Sequence, residues 1–109
     1  MVSPEALEEL RKICPGAQEM HEAGVAYIHL PQLNLPQACG SGTMEALLCL
    51  QGRDGYPTRL FLSEVVAGKG QNWTMHRILD KVWHTPSWNH VVADMRPAEI
   101  LVEHLRVYR

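Results

Sequence analysis

Apolar positions change their spacing along the chain. They recur at helical intervals in the first stretch, alternate in short runs through the middle, and return to helical spacing near the end. Leu7, Leu10, Ile13 and Cys14 share one face of a predicted helix over residues 3–14. Ser3 suits its cap, Pro4 its first helical position, and Glu5, Glu8 and Glu9 the positive end of its dipole. Pro15-Gly16 stops it. Strands then follow, with turn residues between them. The pattern predicts Ala17–His21, a turn at Glu22-Ala23-Gly24, and Val25–Leu30 ended by Pro31. Leu33-Asn34-Leu35-Pro36 is extended. Glu45–Gln51 is two-sided: its Ala and Leu residues favour helix, while its length and bracketing favour a buried strand. Gly52-Arg53-Asp54-Gly55 is a turn, and Thr58–Ser63 alternates as a last strand after Tyr56-Pro57.

Residues 64–96 lose the alternation. Gly68, Gly70 and Gln71-Asn72 suggest a link, Met75–Lys81 one or two helical turns, and Trp83–His90 a loop, since Pro86 cannot continue a helix. Pro97 opens a final helix with Ile100, Leu101, His104, Leu105 and Tyr108 on one face. The expectation is one domain over residues 1–109 of the α+β class. It is a two-layer sandwich with an N-terminal helix, a four-stranded antiparallel meander, an irregular active-site segment and a C-terminal helix.

Composition narrows the classes. A chain of 109 residues, 46% hydrophobic and 20% charged, suffices for one modest core without disulfide staples, and it is too apolar for a disordered segment. Lys+Arg 10 against Asp+Glu 12 gives a formal charge of −2, no basic field, and an expectation of no nucleic-acid partner. No apolar run reaches the roughly 18 residues of a membrane span. The start carries Glu5, Glu8 and Glu9 in place of the basic flank of a secretory leader. Three cysteines, Cys14, Cys39 and Cys49, have no CxxC spacing, so thiols in a reducing cytoplasm are expected.

The stretch WHTPSWNH concentrates functional groups. Ser87 offers a hydroxyl, His84 or His90 can take its proton, and Asn89 can donate to a developing oxyanion. The plainer alternative has Trp83 and Trp88 anchoring a loop whose polar groups satisfy its turns. His76, His84 and His90 have no carboxylate or thiolate at ligand spacing, and no metal or cofactor is expected. Cys39 is a loop thiol with no nearby base, Cys14 and Cys49 fall on apolar faces, and Trp73 reads as a core anchor.

Leu33-Asn34-Leu35-Pro36, Tyr56-Pro57 with Leu60-Phe61-Leu62, Asn72-Trp73, and His76 through His90 resemble the ubiquitin-conjugating (UBC) superfamily. The likeness is nearest to its prokaryotic family E and runs over roughly residues 15–109. The resemblance implies a UBC-like fold and a carrier of a ubiquitin-like protein, held as a thioester on a cysteine. The corresponding window here, Trp83–His90, has no cysteine. The resemblance therefore implies one of two things. Ser87 replaces the thiol and forms an oxyester, with His84 or His90 as base and Asn89 as oxyanion donor, or the protein is an inactive adaptor. A small hydrolase or metal protein of similar appearance is the third option. The implied partners are a ThiF-type activating enzyme, a ubiquitin-like protein and a JAB-type metalloprotease. The activating enzyme would meet the N-terminal helix at Glu8, Arg11 and Lys12.

Overall fold

The structure is a computed structural model describing residues 3–35, 43–51, 56–65, 72–86, 91 and 94–106. In chain order the elements are α1 (Pro4–Ile13), β1 (Gln18–Glu22), β2 (Val25–Asn34), β3 (Thr43–Cys49), β4 (Arg59–Leu62), β5 (Trp73–Ile78), β6 (Lys81–Pro86) and α2 (Pro97–Leu105). The Ser3 hydroxyl caps α1 by accepting the Ala6 N–H at 3.1 Å, and Pro4 follows it. Glu45–Gln51 resolves as strand: β3 is central, and Ala46, Leu47, Leu48 and Cys49 are all buried, which a helix with one buried stripe would not allow. Pro31 does not end β2. The strand passes through it with a register shift between Leu30 and Leu33, and a bulge is where a missing N–H is tolerated.

The expected UBC-like sandwich with a four-stranded meander is not what forms. Among the described residues the sheet has six antiparallel strands in the order β1-β2-β3-β4-β6-β5, accompanied by two short helices. The extra pair comes from the stretch expected to be helical turns and loop. Residues 73–86 form a hairpin, in register from Trp73↔Pro86 to Ile78↔Lys81. Its turn has no Gly or Asn, which hid it: Leu79 and Asp80 sit at φ 53° and 61°, the left-handed pair of a two-residue type I′ turn. Pro86 takes the last position of β6, where a strand loses little by having no N–H.

The hairpin exists because the sheet has two apolar faces. The helices cover one, where Leu10, Ile28, Leu30, Leu48, Leu62 and Leu101 are fully buried. On the other, Tyr27, Leu47 and Phe61 are buried together with Ile78 and Trp83 of the hairpin. Burial of an Ile or Phe side chain contributes about 1.5–3 kcal/mol. The β5–β6 turn is tied to the far edge strand: Leu79 N–H donates to the Glu22 carboxylate of β1 at 3.0 Å, although β1 and β5 are opposite ends of the strand order. The Trp83 indole N–H is satisfied inside the hairpin by the Ile78 carbonyl at 2.9 Å. Among the described residues no helix is long and apolar enough to cross a membrane.

Asp80 is exposed and held in the left-handed region, where glycine has no steric penalty. Asp80→Gly is expected to raise unfolding free energy by about 0.5–1 kcal/mol in denaturant titrations.

Candidate functional site

Of the residues assigned to chemistry, His84 is described; Ser87, Asn89 and His90 lie outside the described residues. His84 is half-buried in β6, between Leu62 of β4 and Met75 of β5. Its neighbours serve the fold. Trp83 is 2% exposed, and the buried Thr85 hydroxyl donates to the Leu60 carbonyl at 2.8 Å. The Trp83–Pro86 part of the expected loop is thus rigid sheet.

A hydroxyl–imidazole pair does occur elsewhere. Thr58 Oγ1 lies 2.8 Å from His104 Nε2 and donates to the Val91 carbonyl at 2.9 Å. A hydroxyl has one proton, and a carbonyl can only accept it. His104 must therefore donate through Nε2–H. That polarity is opposite to the one a general base needs, and Thr58 is fully buried. The pair is a clamp joining α2 to the segment before β4. Burial, and then the Arg59 guanidinium, push the His104 pKa down to about 4.

Arg59 is buried with its guanidinium stacked on the Tyr56 ring at 3.8 Å, and it reaches Thr74 Oγ1 at 3.4 Å. Thr74 in turn meets His76 Nε2 at 3.0 Å, and the His76 ring stands edge-on to Phe61 with centroids 5.3 Å apart. On the same face Glu45 bridges His29 at 2.6 Å and Lys81. The Lys81 ammonium, and then His29, hold its carboxyl below the ordinary range against partial burial. These contacts fasten β5 and β6 over the sheet. No group of three or more metal-ligating side chains converges among the described residues.

The helices present a different kind of site. Glu8 and Lys12 are exposed on α1. Arg11 is partly spent: its Nη1 donates to Glu8 at 2.9 Å and its Nε to the Ala17 carbonyl at 3.1 Å. A groove of about 500 Å³ lies where the end of α1, at Ile13, meets α2 and the Met95 that precedes it. Ile13, Met95, Ala98 and Val102 make it apolar, and Glu99, Glu103 and Arg106 give it charge. Arg96 ties its rim, bonding Glu9 at 3.1 Å and Glu99 at 2.7 Å.

No family model, no curated protein and no solved structure matches the chain.

Sequence reasoning missed the groove because it belongs to neither helix alone. The clamp left a trace: His104 falls on the face of Ile100 and Leu101, and an imidazole on a buried stripe requires a hydrogen-bond partner.

Because the folded pKa of His104 lies below the unfolded value of about 6.5, the unfolded chain binds the extra proton between those values. Stability is full above pH ~6.5 and falls as pH drops toward 4, by up to about 3 kcal/mol, because the unfolded imidazole takes a proton that burial and Arg59 deny the folded one. His104→Gln keeps an amide donor without titrating. It should flatten that part of the stability–pH profile measured by chemical denaturation.

Proposed function

We propose that the protein is a non-catalytic docking module of a ubiquitin-like protein conjugation system, holding a ThiF-type activating enzyme at the groove between α1 and α2. The conjugation system comes from the family resemblance of Tyr56-Pro57, Leu60-Phe61-Leu62, Asn72-Trp73 and the block ending at His90. The observation that carries the docking role is the groove itself. Its apolar floor is bordered by charge, and Val102 is left 37% exposed. Such a surface fits one inserted apolar side chain with a polar surround. Ile13 of α1 lines the groove, and α1 is the helix on which the resemblance puts the activating enzyme, at Glu8, Arg11 and Lys12. The polar side chains of the described sheet serve strand-to-strand contacts, which favours binding over chemistry. The ubiquitin-like protein would arrive through the activating enzyme, a JAB-type metalloprotease would act in the same system, and the setting would be the cytoplasm.

A second reading keeps the carrier chemistry. His84 is held on β6 and stands three residues before Ser87 in the sequence, which fixes one candidate base on a rigid element. The Ser87 oxygen would attack the thioester carbonyl of the activated protein and form an ester. Its proton would pass through His84 or His90 to the departing thiolate of the activating enzyme.

One experiment separates the two. Calorimetry against a ThiF-type enzyme from the same genome should show binding that Val102→Asp weakens by about 30-fold or more, since it puts an unpaired carboxylate in the contact. The melting temperature of the variant should stay near wild type, as Val102 is exposed. Intact mass after adding nucleotide and ubiquitin-like protein should show no adduct. An adduct abolished by Ser87→Ala establishes the carrier reading instead, and binding indifferent to Val102→Asp removes the groove from it.

A further inference from the structure

We draw no further inference here: the strongest candidate, the surface patch that Met75 and Val82 leave exposed on one face of the β5–β6 hairpin, carries none, because nothing in the structure shows what covers it.

Discussion

Among the described residues, a sheet with two apolar faces and two short helices is a packing problem, and the contact between the β5–β6 hairpin and the far face of β2, β3 and β4 is its solution. Tyr27, Leu47 and Phe61 cannot be reached by α1 or α2, which lie on the other side with Leu10 and Leu101. Ile78 and Trp83 cover them instead. The polar contacts around this second core all serve that closure: Glu45 with His29 and Lys81, Glu22 with the Leu79 amide, and Thr74 between Arg59 and His76. Left-handed backbone at Leu79 and Asp80 is tolerated because the surrounding contacts over-determine the turn.

The same closure shapes what the molecule can do. Buried hydroxyl and imidazole groups are committed to backbone carbonyls and to one another, as at Thr58, Thr85 and His104. Chemistry needs groups held ready for a substrate, and these are held ready for the fold. Among the described residues, the apolar groove lined by Ile13 and α2 is a surface that the fold leaves uncommitted.

How much of this was legible depends on whether the signal was local. The ends of α1 were legible because Ser3, Pro4 and Pro15-Gly16 act within one turn of the residues they control. The buried position of Cys14 and Cys49 followed from periodicity in the same way. β3 was ambiguous because a strand buried on both faces has no alternation, and its Ala and Leu residues carry no strand preference. The hairpin was missed for a sharper reason. Leu79-Asp80 lacks the Asn-Gly signature, and the alternation of WTMHRI mixes Trp, Thr and Met with His and Arg, because one of its faces is half wet. Pro86 suggests a loop because it cannot continue a helix, whereas it closes a strand. The groove could not be read at all: Ile13 and Val102 are distant in sequence, and each is an ordinary helix-surface residue until the two helices meet.

The far-face core is tested most directly by NMR on the intact chain. The account predicts cross-peaks between the His76 and Phe61 rings, whose centroids lie 5.3 Å apart. It also predicts a slowly exchanging Trp83 indole proton, protected by the Ile78 carbonyl. An indole proton exchanging at the free-solvent rate, with no contacts between those rings, would mean that residues 73–86 do not pack on the sheet.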